Sequence, residues 1–336
     1  MSITEERPSE EDLILGIDLG GTKIIVGLVD REGRVFARQR RNTEASEGPN
    51  AVLHRLIGAV TQLLTAESLD RGQVAAIGVA APGPIDARSG VVTAPPNLPG
   101  WIDVPLGQLI QNELGLPTFL ENDGNAAALA EHRFGAGRGA DHMIYVTAST
   151  GIGGGFILDG RLYSGATGAA AEVGHMTILP QGPLCGCGNR GCLEALASGT
   201  AIAREARERV ARGASTVITE LAEGNLDHIT AKLVAQAANQ GDVEAEAILR
   251  EAMTYLGLGM ANLVNLFNPQ LIVIGGGLTK MGERLFGPVR RIIDRRAFPT
   301  SAAAVEISRA QLGDDVGLLG AAAVAMTAKE QNPHAG

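Results

Sequence analysis

All three cysteines of this 336-residue chain fall within one stretch, Cys185-x-Cys187-x4-Cys192, with Gly186, Gly188 and Gly191 between them. Three thiolates so close together can wrap a metal ion. Zn2+ takes four N or S ligands in a tetrahedron, and the predicted fourth is His175, the nearest histidine in sequence. A closed Cys3His set leaves no position open for substrate and is structural. Two other uses compete: small buried thiols beside a core histidine, or a redox pair. The gathering of every cysteine in one glycine-rich loop weighs against the first. The Cys-x-Cys spacing, which is not the Cys-x-x-Cys of redox pairs, weighs against the second.

A second group of residues suits phosphate. Asp18-Leu19-Gly20-Gly21-Thr22-Lys23 combines a carboxylate, two glycines, a hydroxyl and a cation. Glycine lets backbone N–H groups approach phosphate oxygens, Asp18 could hold Mg2+ directly or through water, and Lys23 adds positive charge. The segment is neither a Walker A loop nor a dinucleotide fingerprint, because it leads into a strand and not a helix. Thr150-Gly151-Ile152-Gly153-Gly154-Gly155 echoes it, and Gly275-Gly276-Gly277 follows a buried apolar run, suited to lying under a nucleotide. Any one of these could be an ordinary tight turn; three in one chain point to a shared anion site. Asp123 is the candidate general base, beside Asn122 at the end of a short strand. A carboxylate there could take the proton of an attacking hydroxyl, and an Asn-Asp pair also suits a helix N-cap. Asn122, Glu172 and Glu194 are hydrogen-bonding groups suited to sugar hydroxyls.

These residues need elements to hold them. Apolar runs over Leu13–Leu19, Ile24–Val29 and Val35–Arg41 predict a three-strand meander turning at Gly20-Gly21 and Glu32-Gly33. Val52, Leu53, Leu56, Ile57, Val60, Leu63 and Leu64 share one helical face. A buried strand over Val74–Ala80 stops at the loop Ala81-Pro82-Gly83-Pro84, and Ala94–Gly100 is another loop. A helix over Leu106–Leu114 ends at Gly115. Pro117–Leu120 is a strand, and Glu121-Asn122-Asp123-Gly124 lies at its carboxyl end, where open α/β sheets bind ligands. The second half opens the same way: strand Met143–Thr147, a glycine-rich turn over Ser149–Gly155, then strand Phe156–Leu158. One constant offset lays Asp18 on Thr147, Thr22 on Gly151 and Asp30 on Asp159, which predicts two related halves facing one cleft. Residues 160–195 read as irregular, a length of loop that is usually functional. Helices follow over Ala201–Arg212, Ile229–Gln240 and Val243–Phe267, then a strand over Leu271–Ile274 and a buried helix over Val316–Ala328.

Asp18-Leu19-Gly20-Gly21-Thr22, Glu172-Val173-Gly174-His175 and Cys185-Gly186-Cys187-Gly188-Asn189-Arg190-Gly191-Cys192-Leu193-Glu194 together resemble the ROK family (repressor, open reading frame, kinase), and the resemblance runs from about Leu13 to the last helix. It implies an α/β fold of the two-lobed actin-like, ribonuclease-H-like ATPase type. The smaller N-terminal lobe would span 1–120, completed by the last helix at about 315–336. The larger lobe, 121–314, would carry the zinc loop. It also implies ATP- and Mg2+-dependent phosphorylation of a hexose or N-acetylhexosamine. Asp123 would deprotonate the sugar hydroxyl, O6 if the substrate is glucose. Asn122, Glu172, His175 and Glu194 would bind sugar hydroxyls, with Gly83 and Asn97 from first-lobe loops. Asp18, Gly20, Gly21, Thr22 and Lys23 with Thr150, Gly151, Gly153 and Gly154 would surround the phosphates, and Gly275, Gly276 and Gly277 the adenosine. His175 would give one ring nitrogen to zinc and the other to the sugar. Asn97-Leu98-Pro99-Gly100-Trp101 resembles the sugar loop of the family's glucose-phosphorylating branch, although kinases of fructose and of N-acetylmannosamine share most motifs. ATP is the expected donor, with polyphosphate as an alternative. Family members form dimers or tetramers, so a homo-oligomer is expected.

Bulk properties narrow the rest. A formal net charge of −9, with 45% hydrophobic residues, argues against a nucleic-acid surface and for a sizeable core. No run reaches transmembrane length. The acidic start, Glu5-Glu6 then Glu10-Glu11-Asp12, is not a secretory signal, so a cytoplasmic protein is expected. About a dozen residues precede the first strand, too few for the helix-turn-helix module of the family's repressors. A zinc-stabilised sugar-binding protein without catalysis is the third possibility, disfavoured by Asp18 and Asp123.

Overall fold

The computed structural model describes residues 13–331. The acidic N-terminal segment and the last five residues of the predicted 315–336 segment lie outside them. Two five-stranded sheets carry the molecule. The first consists of β1 (Ile14–Leu19), β2 (Lys23–Val29), β3 (Val35–Asn42), β4 (Ala76–Ala81) and β7 (Thr118–Asn122), in the order β3-β2-β1-β4-β7. A small ribbon, β5 (Ile85–Asp86) and β6 (Val91–Val92), stands beside it. The second sheet consists of β8 (Met143–Ala148), β9 (Ile152–Leu158), β10 (Arg161–Leu162), β11 (Leu271–Gly275) and β12 (Glu306–Arg309), in the order β10-β9-β8-β11-β12. In each sheet a hairpin comes first and a later strand adds in parallel to its first strand: β4 to β1, β11 to β8. Parallel addition needs a crossover, and α1 (Pro49–Ala66) supplies it in the first half.

The predicted offset holds for both hairpin strands: β1 and β8, then β2 and β9, begin and end 129 residues apart. The pairing differs by one residue, because Leu19 faces Ile24 whereas Ala148 faces Ile152. The second turn is therefore tighter, and the expected glycine-rich turn over Ser149–Gly155 is shorter than read. Gly153, Gly154 and Gly155 are in β9, and helix α3 (Asp123–Phe134) lies almost on the backbone of Gly154 and Gly155. A methyl on Gly155 would come 2.6 Å from Ala128 Cβ.

The first sheet packs its outer face on α1 and α2 (Leu106–Leu114), around Leu15, Ile17, Val26, Leu56, Ile77 and Ile110. The second packs on the helices of its own half: α4 (Leu193–Ala197), α5 (Gly199–Ala211), α6 (Ile218–Leu221), α7 (Ala231–Asn239), α8 (Val243–Phe267), α9 (Glu283–Arg296) and α10 (Pro299–Ala304). Between the sheets run α3 and α11 (Val316–Gln331), both rich in alanine. A helix packed on several sides cannot be amphipathic, and α11 buries every residue from Leu318 to Met326. Small side chains let the two backbones cross closely: a methyl on Gly320 would sit 2.6 Å from Ala126 O. No helix among the described residues is long and apolar enough to cross a membrane.

Candidate active site

Asp123 is the first residue of α3, directly after β7. Asn122 is the N-cap, its Oδ1 accepting from the Gly124 and Asn125 N–H groups at 2.9 and 3.4 Å. The capping and catalytic expectations for this pair thus coexist. The Asp123 carboxylate also accepts from Gly124 N–H at 2.8 Å and opens to solvent at the cleft. Protein surrounds it on most other sides. That desolvation, helped by the neighbouring Asp18 and Glu172 carboxylates, pushes its pKa up to about 6 against the pull of the Gly124 N–H. A carboxylate with a pKa near the working range is suited to accept a proton.

Asp18 is the penultimate residue of β1, next to the first turn. Burial raises its pKa too, and the Lys23 ammonium opposes this. The turn is closed by Gly20 N–H to Lys23 O at 2.9 Å. Buried Thr43 holds it from behind, Oγ1 donating to Gly20 O at 2.6 Å and N–H to Thr22 O at 2.9 Å. Two first-half loops meet these groups. Leu98 and Trp101 are buried anchors and leave Asn97 exposed between them and the turn, so that a methyl on Gly21 would touch Asn97 O at 2.7 Å. A methyl on Gly83 would meet Asn122 Nδ2 at 2.9 Å.

The second half supplies the opposite wall. Glu172 is exposed and precedes a short turn whose Gly174 packs on Ile152 O. His175 points both ways: Nδ1 is 3.7 Å from Cys185 Sγ, and Nε2 is 4.0 Å from Glu172 Oε2. Cys187 and Cys192 place their sulfurs 3.7 Å apart, and the four ligand atoms of His175, Cys185, Cys187 and Cys192 all lie within 4.8 Å of one another. Tetrahedral thiolates about 2.3 Å from Zn2+ would be separated by roughly 3.8 Å, so this set fits the ion. Burial and the adjacent thiols push Cys192 up to about 12, whereas the Asn189 backbone N–H pulls Cys187 down.

Glu194 does more than the sequence suggested. Its Oε2 accepts from Ile152 N–H at 2.9 Å, holding the second turn, while Oε1 is 4.0 Å from Cys185 Sγ. The metal-ligand set and the second turn therefore share one side chain. Thr150 and Gly151 form the turn itself, and Thr200 braces it through Oγ1 and N–H to Thr150 O at 2.9 and 3.2 Å.

Beside this turn lies a cavity of about 800 Å³ between Thr150, α5, α7 and Gly277. Of the expected adenosine glycines only Gly277 lines it. Gly275 and Gly276 are spent on packing against β8, where methyls would strike Tyr145 Oη and Ala148 O. Gly153 and Gly154 likewise belong to β9 and not to the cavity wall. Lys232, Gln236 and Asn239 of α7 line the cavity and were not singled out from sequence. Their spacing gave a signal, since they form the polar face of a helix that buries Val234, Ala237 and Ala238 on the other.

The ROK family model matches residues 14–328. The chain belongs to the ROK family. It is 39% identical to a glucokinase of Thermotoga maritima over 311 residues, 93% of this chain and 96% of that one. A crystal structure of a ROK family glucokinase from Streptomyces griseus, in complex with glucose and AMPPNP, matches with a TM-score of 0.78 and 38% identity, over 92% of this chain and 98% of that one. A xylose repressor of Caldicellulosiruptor bescii is 33% identical over 94% of this chain but 78% of its own length. The expected two-lobed actin-like fold is the fold of these ROK relatives.

Proposed function

We propose that this ROK protein is an ATP-dependent sugar kinase that converts glucose to glucose 6-phosphate. The observation that carries the proposal is the convergence on Asp123. This carboxylate, tuned to about 6, faces one cleft with the two glycine turns on either side. Identity of 39% to a glucokinase over nearly the whole chain supports glucose as the substrate.

In this reading Asn122, Glu172, His175 and Glu194 bind sugar hydroxyls, with Gly83 and Asn97 closing the site from the first half. Asp123 takes the proton of the sugar O6 as that oxygen attacks the γ-phosphorus; the bond to the β–γ bridging oxygen breaks and ADP leaves. Backbone N–H groups of Gly21–Thr22 and Thr150–Gly151 and the Lys23 ammonium hold the phosphates, and the cavity beside Gly277 takes the adenosine. Mg2+, when bound near Asp18, neutralises phosphate charge. Zn2+ on His175, Cys185, Cys187 and Cys192 fixes the Glu172–Glu194 wall, with His175 Nε2 left for the sugar side. Residues 1–120 with the last helix form one lobe and 121–314 the other, meeting across α3 and α11. A cytoplasmic dimer or tetramer completes the proposal.

A coupled assay across glucose, fructose, mannose, N-acetylglucosamine and N-acetylmannosamine tests it. Glucose is expected to give the highest kcat/KM. Turnover of none of them sinks the enzyme reading, and a clear preference for another sugar moves the substrate.

A further inference from the structure

Glu131, in the last turn of α3, takes no part in the chemistry above. It is fully buried, and backbone N–H groups meet its charge. Oε1 accepts from Gln311 and Leu312 at 3.0 and 2.9 Å; Oε2 accepts from Ala136 and Gln311 at 2.9 and 3.2 Å. Hydrogen bonds to an ionised acceptor are shorter and about twice as strong as neutral ones, so three backbone N–H groups on one carboxylate make a firm joint.

What the joint connects gives it meaning. Gln311 and Leu312 lie between β12, at the edge of the second sheet, and α11, which lies against the first. At the start of α11, Gly317 abuts the cleft: a methyl there would stand 2.5 Å from Asp18 Oδ2. At the far end of α3 stands Asp123. Glu131 thus ties the rear of the helix carrying one acidic residue to the entry of the helix that backs the other. The helices also touch where they cross, at Gly320 and Ala126. Glycine and alanine faces offer shallow ridges, and ridges set into grooves are what fix a crossing angle. Contacts away from the crossing supply what it lacks: this buried joint, and a more exposed pair between Arg133 of α3 and Glu330 of α11 at 2.8 Å.

We propose that Glu131 is a positioning residue for phosphoryl transfer: by pinning the Gln311–Leu312 backbone to α3, it sets how α11, and with it Asp18, faces Asp123. This rests on the kinase reading, in which Asp18 and Asp123 act on the donor phosphates and the sugar hydroxyl. Asn122, Glu172 and His175 lie outside the path through α11, so sugar affinity is expected to survive when the joint is loosened.

The test is Glu131→Gln in the full chain, which keeps the shape but turns one acceptor into a donor facing an N–H. Well below the melting temperature, kcat is expected to fall on the order of tenfold to a hundredfold, the effect of a misplacement of about 1 Å. Glucose binding without nucleotide should stay within about twofold, because the sugar residues do not move. A merely structural role would lower Tm and leave kcat per folded molecule at the wild-type value, and that result overturns the proposal. Should Glu131→Gln fail to fold, Glu131→Asp decides, since it keeps the carboxylate but draws it back by one methylene from the Gln311 and Leu312 N–H groups. It is expected to lower kcat with sugar binding retained, and unchanged kcat overturns the proposal. Wild-type protein that turns over no sugar defeats the kinase reading and this inference together; active wild type beside an equally active Glu131→Gln defeats the inference alone.

Discussion

The two glycine turns sit on matching hairpins and are built for different work. The first places Asp18 and Lys23 at its ends, where the second has Thr147 and Ile152. The first is braced by buried Thr43, just past the end of β3; the second is braced by exposed Thr200 and by Glu194, which reaches to it from beside the metal-ligand cluster. The common part is strand, turn and strand, which any sequence with the right apolar pattern can satisfy. The differing part is which groups hold the turn and what they bring. One turn brings a carboxylate and an ammonium to the cleft, and the other borders the cavity beside Gly277 and is tied to the Cys3His cluster.

The sharpest way to break this picture is to remove the carboxylate between the turns. Asp123→Asn is expected to lower kcat by about 10⁴-fold, the upper end of what a general base supplies, with sugar binding largely kept. Near-normal turnover would mean that the turns frame another base. For the wild type, kcat/KM should fall tenfold per unit as pH drops below about 6, because the base must be deprotonated and its pKa stands near 6. The stability effect has the opposite sense. With its pKa raised above the ordinary 3.8, Asp123 favours the folded state at low pH, and that contribution disappears as pH rises through 6. Asp123→Asn should therefore melt higher than wild type at pH 8, and the gap should narrow toward pH 4.

The charge asymmetry can be tested directly. Asp18→Asn is expected to reduce kcat about 100-fold, as for the loss of one electrostatic group at developing charge. Thr147→Val at the matching position should change it only by about twofold, the scale of one modest hydrogen bond or less. Equal losses would erase the distinction between the turns.

Zinc comes next in size. Metal analysis is expected to give about one Zn2+ per chain, and Cys187→Ser to weaken it. Glucose KM should then rise about tenfold, the lower end for disturbing a metal site, because Glu172, His175 and Glu194 lose their common support. Unchanged glucose affinity in a stable Cys187→Ser protein would separate the zinc loop from the sugar wall.

How much of this was legible in the sequence depended on distance along the chain. The first hairpin, the α1 face and the Leu106–Leu114 helix are local patterns, and they were read nearly to the residue. The gathering of His175 with the three cysteines was legible because the cysteines lie within eight positions of one loop. Long-range packing was not. Gly154 and Gly155 looked like part of a turn because nothing in their neighbourhood says that α3 lies on them, and Gly275-Gly276 looked free because Tyr145 and Ala148 are far away in sequence. Helix α9, with Pro288 inside it, and strand β12 went unread. Glu131 gave no sign at all: its partners are Ala136 and two backbone groups about 180 residues away.

The smallest expected difference is between the two threonine braces. Thr43→Val strips a buried hydroxyl from Gly20 O, and a buried acceptor left short costs about 1–3 kcal/mol. Thr200→Val removes a bond at an exposed site where Thr150 O keeps the Thr200 N–H at 3.2 Å and water can replace the hydroxyl, so its cost is about 0.5 kcal/mol or less. Thermal melts of the two proteins should rank Thr43→Val clearly lower. The KM for ATP should rise a few-fold, or about 1 kcal/mol, in Thr43→Val and remain near wild type in Thr200→Val. The reverse order would mean that the second turn, and not the first, depends on its hydroxyl, leaving Glu194 as a bystander in holding it.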